Sequence, residues 1–188
     1  RYSIPDTRYS KKMDLHVDHQ VKLELIDVHH AESLFNLASE NREHLKQWMP
    51  WIDFMHDIDF MHQFVLSAKQ KYADGHEYAY VILFNDIIVG RIGVYKIDPR
   101  NKIGEIGYWI SEEYQGYGIT TKSCATLIDY CFKDVLLHRI EIKCATENYK
   151  SQGIPERLNF KLEGVLRQAE LVNGKFVDLN LYSLLSSE

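Results

Sequence analysis

The order of strand-like and helix-like patterns predicts a mixed α/β protein, closer to α+β, whose helices flank one central twisted sheet. Two observations lead to this prediction. Apolar runs between residues 78 and 110 are separated by short polar turns, as in consecutive antiparallel strands. A strongly periodic helix then precedes another strand-like run at residues 139–146, so this run can lie parallel to the strand before the helix. The sheet is therefore expected to be mostly antiparallel with one parallel pair.

The first third of the chain predicts one strand and two helices. Residues 21–26 alternate and indicate a strand. Asp27 can cap a following helix that runs toward Pro50, where proline ends or kinks it. The apolar face of this helix is marked by Ala31, Leu34, Phe35 and Ala38. Asp57 or Asp59 would open the second helix. That helix stops at residues 74–75, and its core-facing stripe is Met61, Phe64, Val65, Ala68 and Tyr72.

The rest of the chain predicts six strands and two helices. A strand at residues 78–84, a tight turn at Asn85-Asp86, a return strand at residues 87–95 and a strand at residues 104–110 form a meander. The best helix of the sequence follows, with apolar positions Cys124, Leu127, Ile128, Cys131, Phe132 and Val135. After the strand at residues 139–146, a short helix spans residues 151–158. A hairpin of residues 160–171 and 175–185, with its turn at Asn173-Gly174, completes the pattern.

The charge and the length of the chain limit the classes of partner. With 22 basic and 27 acidic residues, the formal net charge is −5, and there is no long run of either sign. A nucleic-acid partner is therefore not expected. No apolar run approaches the ~20 residues of a membrane-spanning helix, and no signal peptide is visible, so no membrane partner is expected. We expect one domain over residues 13–188, with Met13 as the natural start and residues 1–12 as an extension.

Cysteine and histidine usage favours neither disulfides nor a metal site. The three cysteines include no Cys-x-x-Cys pair, which favours reduced thiols in a cytoplasm. The nine histidines include no metalloprotease spacing, so no metal is assigned. Cys144 with His138 as its base would be a rival, covalent chemistry. Strand alternation instead places Cys144 on the apolar face of its strand, so we interpret it as a core residue.

Two glycines stand between the strand at residues 104–110 and the best helix. Gly116 and Gly118 would let the backbone approach a ligand, with N–H groups at the positive end of the helix facing it. Such a loop suits a phosphate or a pyrophosphate. It is not a Walker loop, because no Gly-Lys-Ser/Thr follows the first glycine at the required spacing. It is not a dinucleotide fingerprint either, since Thr121 stands where the third glycine would be.

Four segments carry a family resemblance. Residues 115–120, Gln-Gly-Tyr-Gly-Ile-Thr, resemble the motif Gln/Arg-x-x-Gly-x-Gly/Ala, with Thr120 in the last position, and residues 105–110 resemble the strand before that motif. Residues 45–51 resemble Leu-x-x-Trp-x-Pro-Trp. Residues 148–164 resemble an Asn-x-x-Ser, Leu-Gly-Phe and Glu-Gly block, with Asn159 in place of a glycine. Together they resemble the GNAT superfamily of N-acetyltransferases, in its branch that acetylates ribosomal-protein N-termini (RimJ/RimL-type).

The resemblance implies a fold, a co-substrate and a set of binding residues. The fold would be GNAT-type, with the parallel pair splayed apart. The co-substrate would be acetyl-CoA, whose pyrophosphate rests on backbone N–H groups of residues 116–120 and whose pantetheine arm lies between the splayed strands, and no metal would be needed. The implied cofactor-binding residues are Tyr108, Trp109, Ile110, Gln115, Gly116, Tyr117, Gly118, Ile119, Thr120 and Asn148.

The same resemblance implies catalytic roles, each with a plainer alternative. An amine would attack the thioester directly, so the reaction needs a base and a proton source for the departing thiolate. Ser151 is the implied acid, although it can also merely cap the short helix. Glu105 is the candidate base, acting through water, and an ion-paired or solvated Glu105 is equally consistent. Trp48 and Trp51 can line the acceptor pocket or belong to the core.

The resemblance favours a cytoplasmic acetyltransferase that acts on the N-terminal amine of a protein, with a ribosomal protein as the leading acceptor. Two alternatives stay open. The acceptor can be a small amine such as a polyamine, an amino acid or an antibiotic, or the chain can be a non-catalytic acyl-CoA-binding module. Whether it forms a homodimer or a higher homo-oligomer is also left open.

Overall fold

The structure, a computed structural model, describes residues 14–188. The expected extension over residues 1–12 and the start at Met13 lie outside the described residues, and the domain boundary stays a prediction. The elements in chain order are β1 (Leu15–His16), β2 (Val21–Leu25), α1 (Ala31–Glu40), α2 (Arg42–Lys46), α3 (Ile58–Ala73), β3 (Tyr78–Phe84), β4 (Ile87–Asp98), β5 (Ile103–Ile110), α4 (Ile119–Lys133), β6 (Arg139–Ala145), α5 (Tyr149–Arg157), β7 (Lys161–Val172) and β8 (Lys175–Leu185). Within this part of the chain, no helix is both long and apolar enough to span a membrane.

The strands form one eight-stranded sheet in the order β1-β2-β3-β4-β5-β6-β8-β7. Every neighbouring pair is antiparallel except β5 and β6, which are joined by the crossover through α4. This confirms the predicted fold class, including the mostly antiparallel sheet and its parallel pair. The last hairpin joins the sheet through its second strand: β8 pairs with β6, and β7 lies at the edge of the sheet.

The parallel pair is short and opens like a V. Its register joins Ile103 to Arg139, Gly104 to Ile140 and Glu105 to Glu141, and the pairing then stops. β5 continues to Ile110 on the side of β4, and β6 continues to Ala145 on the side of β8. The edge of β5 that faces β6 therefore has backbone groups over residues 106–110 with no partner strand, and the splayed pair is confirmed.

One layer of buried apolar side chains packs against each face of the sheet. Alternation along β3 sends Tyr80 and Ile82 into the layer under α4, while Val81 and Leu83 enter the layer under α1 and α3. The stripe predicted for the best helix is buried at Cys124, Leu127, Ile128 and Cys131. The predicted Val135 lies beyond Lys133, the last residue of α4.

The N-terminal helices differ from the prediction. The expected single helix toward Pro50 is wrong, because α1 ends at Glu40 and a short α2 follows. Asn41 has a non-helical backbone (φ −102°, ψ 16°) at the junction, and its side chain donates a hydrogen bond to the Leu37 carbonyl. Pro50 does not end a helix but begins the 3₁₀ turn Pro50–Phe54, since proline suits a first helical position.

Two strands differ from the prediction, and α3 decides between two predicted caps. β1 was missed because a strand of two residues carries no periodic pattern. β4 reaches Asp98, beyond the predicted end at residue 95, through an irregular register at which Lys96 adopts φ +51°. α3 begins after Asp57, whose side chain accepts a hydrogen bond from the Phe60 N–H, which decides between the two predicted caps.

Replacing Leu127 by Ala tests the layer under α4. Leu127 is fully buried, so Leu127→Ala should lower the free energy of unfolding by ~2–5 kcal/mol, measured by urea denaturation. Leu66→Ala is the matched control, because Leu66 also lies in a helix but is 49 % exposed, and its effect should stay within ~0.5 kcal/mol. Equal urea midpoints for the two variants would contradict this account of the core.

Candidate active site

The glycine loop forms the start of α4. Gly116 and Gly118 adopt φ +84° and +76°, which side-chain-bearing residues rarely tolerate. An added Cβ at either position would meet nothing within 4 Å, so the space in front of this backbone is open. Gly118 is the residue before α4, and no side chain caps the helix there. The first N–H groups of α4 thus have neither an intrahelical partner nor a side-chain cap, and they favour an anion.

A cavity of about 570 Å³ opens between this loop, the free edge of β5, α2 and α5. Its volume is in the range of ~300–1,000 Å³ that is usual for ligand pockets. It is lined by Trp48 and by all of the predicted cofactor-binding residues except Tyr117. Tyr117 is 68 % exposed, and its side chain does not line the cavity. Ser151 also lines the cavity, whereas Glu105 and Trp51 do not.

Ser151 lies at the mouth of the V between β5 and β6. Its Oγ is 3.2 Å from Cys144 Sγ, and it donates a hydrogen bond to the Tyr108 hydroxyl at 3.4 Å. The Tyr108 hydroxyl in turn donates to the Ser151 carbonyl oxygen at 3.0 Å. Asn148 precedes α5 and accepts a hydrogen bond from the Ser151 N–H, so Asn148 is the helix cap. The alternative interpretation of Ser151 as the cap is therefore wrong, and its hydroxyl contacts Tyr108 and Cys144 instead.

Cys144 is a buried thiol. Burial raises the pKa of Cys144, and its side chain belongs to the core layer under α4. His138 precedes the first residue of β6, six positions away, which is ~20 Å along an extended strand. His138 lies next to Ser186 instead, 3.3 Å from its hydroxyl. The predicted core role of Cys144 agrees with this geometry, because its suggested base lies at the other end of the strand.

Gln152 fixes the position of α5. Its Nε2 donates to the carbonyl oxygens of Ala145 and Thr146, both at 2.9 Å. Its Oε1 accepts from Asn180 Nδ2 at 2.9 Å and from the Tyr182 hydroxyl at 3.5 Å. One buried amide thus ties α5 to the end of β6 and to β8, and it holds the neighbouring Ser151 against the V.

Glu105 forms ion pairs on the face of β5 that points away from Ser151. Lys143 Nζ lies 2.8 Å from Glu105 Oε2, and Lys96 Nζ lies 3.2 Å from the same oxygen. Burial by itself would raise the pKa of Glu105, but the hydrogen bonds and charges of Lys143 and Lys96 outweigh it and hold that pKa below its usual range. Of the alternatives for Glu105, the structure shows the ion-paired one.

Glu170 is a second carboxyl near this face, and the sequence analysis missed it. Burial and the charge of Glu105 raise the pKa of Glu170, while Lys96 opposes the shift. Glu170 lies on β7, close to the hairpin turn, and Asn173 in that turn donates to the Lys46 carbonyl oxygen at 2.9 Å. The hairpin therefore reaches α2, on the opposite side of the cavity. No local motif marks Glu170, since only the tertiary fold brings it near Glu105.

A polar bridge spans three elements at the cavity, and two of its members were also missed. Gln115 Nε2 lies 2.6 Å from His44 Nε2, and Lys150 Nζ donates to Gln115 Oε1 at 2.9 Å. His44 comes from α2, which the sequence did not predict as a separate helix. Gln115 was predicted, and the structure shows that its side chain links α2 to α5.

One group of potential metal ligands converges within residues 14–188, away from the cavity. Ligand atoms of Glu24, His29 and His30 all lie within 4.8 Å of one another. His30 Nδ1 accepts a hydrogen bond from the Asp27 N–H, so the neutral ring carries its proton on Nε2. That Nε2 is 3.3 Å from Glu24 Oε1. The geometry fits a hydrogen bond between the ring and the carboxylate, and a metal at Nε2 would have to displace this proton.

Comparisons with known proteins identify the family to which this chain belongs. The Acetyltransferase (GNAT) domain family matches residues 20–161. YdaF of Bacillus subtilis (strain 168), which is assigned only provisionally as a ribosomal N-acetyltransferase, is 34 % identical over 173 residues, covering 92 % of this chain and 94 % of that protein. The ribosomal-protein-serine acetyltransferase of Escherichia coli (strain K12) is 32 % identical over 167 residues, covering 89 % and 93 %.

A solved structure extends the comparison to the cofactor. RimL, a ribosomal L7/L12 α-N-protein acetyltransferase in complex with coenzyme A, superposes with a TM-score of 0.90 at 28 % identity, covering 92 % of this chain and 98 % of that one. The resemblance predicted from four short segments is thereby confirmed over nearly the whole described chain. The chain belongs to the GNAT acetyltransferase family, and it is an N-acetyltransferase.

Proposed function

We propose that this enzyme transfers the acetyl group of acetyl-CoA directly to the N-terminal amine of a protein, with a ribosomal protein as the leading acceptor. One observation carries the proposal: the uncapped glycine loop and the unpaired edge of β5 open into the same cavity, which Ser151 also lines. The acceptor class is supported by the names of the relatives, one of which acts on a ribosomal-protein serine.

Residues of this chain fit the two parts of coenzyme A. The open backbone of Gly116 and Gly118, followed by the first N–H groups of α4, suits the pyrophosphate. The free edge over residues 108–110 suits the amide-bearing pantetheine arm, which can add to it as a strand would. Bound in this way, acetyl-CoA would supply the thioester whose carbonyl carbon the amine attacks.

The chemical step needs a neutral amine, a charge-stabilised intermediate and a proton for the leaving group. Attack forms the C–N bond and places negative charge on the carbonyl oxygen, which backbone N–H groups at the end of β5 would stabilise. Collapse breaks the C–S bond. The Ser151 hydroxyl then gives its proton to the departing thiolate and regains one, through solvent, from the base that took the amine proton. Its contact with the Tyr108 hydroxyl keeps it oriented.

Two carboxylates are candidates for the base that removes the amine proton. Glu105 stays the candidate predicted from the sequence, acting through a water molecule, although its ion pairs hold its pKa low and weaken it as a base. Glu170 is the second candidate, because its raised pKa makes it the better proton acceptor. Its place near the hairpin turn that contacts α2 fits an approach from the acceptor side.

An acceptor panel tests the proposed function. Purified enzyme and acetyl-CoA are incubated with peptides that carry ribosomal-protein N-termini, with spermidine, with free amino acids and with an aminoglycoside, and thiol release is followed. We expect the N-terminal peptides to give the highest kcat/KM. Preferred turnover of spermidine or an aminoglycoside would show that the acceptor is a small amine and not a protein. Cofactor binding without thiol release on any acceptor would indicate a non-catalytic module.

Substitution in the glycine loop tests the pyrophosphate site. Gly118→Ala places a methyl group in the open space before α4 and strains a backbone at φ +76°, so the Kd for coenzyme A should rise at least tenfold in calorimetric titration. Gly174→Ala is the matched control. Gly174 has a similar φ of +73° and equally open space, but it lies in the hairpin turn, so its Kd should stay at the wild-type value. An equal loss of affinity in both variants would mean that backbone strain, and not a blocked pyrophosphate site, raises the Kd.

Removing the Ser151 hydroxyl tests its role as the acid. Ser151→Ala should lower kcat by ~10²-fold or more while the Kd for acetyl-CoA changes less than threefold, because the hydroxyl is needed only when the thiolate leaves. Cys144→Ser serves as the control, since Cys144 contacts the same hydroxyl without a proposed chemical role. An unchanged kcat in Ser151→Ala would remove Ser151 from the mechanism.

A further inference from the structure

A second, smaller cavity lies on the opposite side of β5 from Ser151. It has a volume of about 180 Å³, and it sits between the sheet, the start of α3 and the turn Pro50–Phe54. Its walls are mostly aromatic, with Trp51, Phe60, Phe64 and Trp109 among them. This volume suits one amino-acid side chain, and it is too small for a nucleotide.

Arg91 supplies the charge in this otherwise apolar cavity. Its guanidinium carbon lies 4.1 Å from the centre of the Phe64 ring and 5.4 Å from the centre of the Tyr95 ring. Within residues 14–188, no carboxylate forms an ion pair with Arg91. A half-buried arginine stays charged. The Arg91 guanidinium interacts with the buried Tyr95 hydroxyl, and stacking on the face of Phe64 leaves its other N–H donors at the edge of its plane. A group that accepts hydrogen bonds and carries negative charge would complete this cavity.

Trp109 connects the small cavity to the large one. It lines both, and in the register of β4 and β5 it is the direct neighbour of Arg91. Trp51 lies 6.1 Å from Trp109 between ring centres. Trp48, from the same short segment as Trp51, lines the large cavity. The two cavities therefore share the Trp109 side chain as a wall.

We infer that the Arg91 cavity is a specificity site for the acceptor, and that it takes the carboxylate side chain of an Asp or Glu next to the residue that is acetylated. This inference rests on the proposed function, because it assigns a place to the residue that follows the acetylated amine. A carboxylate fits better than an amide, since only the charged group neutralises the half-buried guanidinium and accepts two parallel hydrogen bonds from it. A lysine side chain is excluded by charge repulsion from Arg91.

Matched peptides test this assignment. Three peptides that differ only at the second position, Glu, Gln or Lys, are compared as acceptors by kcat/KM. The wild-type enzyme should prefer Glu over Gln by about tenfold, which corresponds to ~1.4 kcal/mol, and Lys should be the poorest. Arg91→Gln should reduce the ratio of Glu to Gln to about one, and Arg91→Lys should retain part of it. Arg100→Gln is the control, because Arg100 is exposed in a loop and its loss should leave the ratio unchanged.

A binding measurement separates failure of this inference from failure of the proposed function. Titration calorimetry with the same peptides needs no turnover, so it reports on the cavity even if no peptide is acetylated. Absence of transfer to every peptide, with Glu still bound more tightly than Gln in an Arg91-dependent way, would overturn only the proposed acceptor. Equal binding and equal kcat/KM for Glu and Gln would overturn the Arg91 inference. So would a clear preference for Phe at the second position, which would make the cavity an aromatic pocket.

Discussion

The site depends on the early end of the pairing between β5 and β6. Three residue pairs join these parallel strands, and beyond Glu105 and Glu141 each strand stays bonded only to its outer neighbour. A parallel connection requires a crossover, and here the crossover is α4, whose positive end therefore lies at the opening of the V. The unpaired edge of β5 and the position of the glycine loop thus both follow from the parallel connection between β5 and β6.

Local patterns in the sequence predicted most of the fold. The stripe of α4, the Asn85-Asp86 turn and the alternation of β6 each reflect a period set by a single element, so they are visible without tertiary contacts. The errors occur where the period is too short to see, as in β1, or where one residue interrupts a longer helix, as Asn41 does. At Asn41 a contact with a distant part of the chain accompanies the break, because the Glu112 N–H donates to Asn41 Oδ1.

The residues of the candidate site also fall into a group that the sequence predicted and a group that it did not. The glycine loop and Ser151 were predictable because they belong to contiguous motifs with fixed spacing. Glu170, His44 and Arg91 were not, because each contributes through partners from distant segments. Burial and tertiary contacts mark these residues, and sequence spacing does not reveal either. The pKa of the Glu170 carboxyl is raised, the His44 ring contacts Gln115, and the Arg91 guanidinium stacks on Phe64.

Gln152 makes the position of α5 depend on a part of the chain that is synthesised later. Its Nε2 contacts, with the carbonyl oxygens of Ala145 and Thr146, lie within the segment from β6 to α5. Its Oε1 contacts need Asn180 and Tyr182, and both belong to β8, which lies between β6 and β7. A nascent chain that carries Ser151 but not yet β8 therefore lacks two of the four hydrogen bonds through which Gln152 holds α5 beside the V.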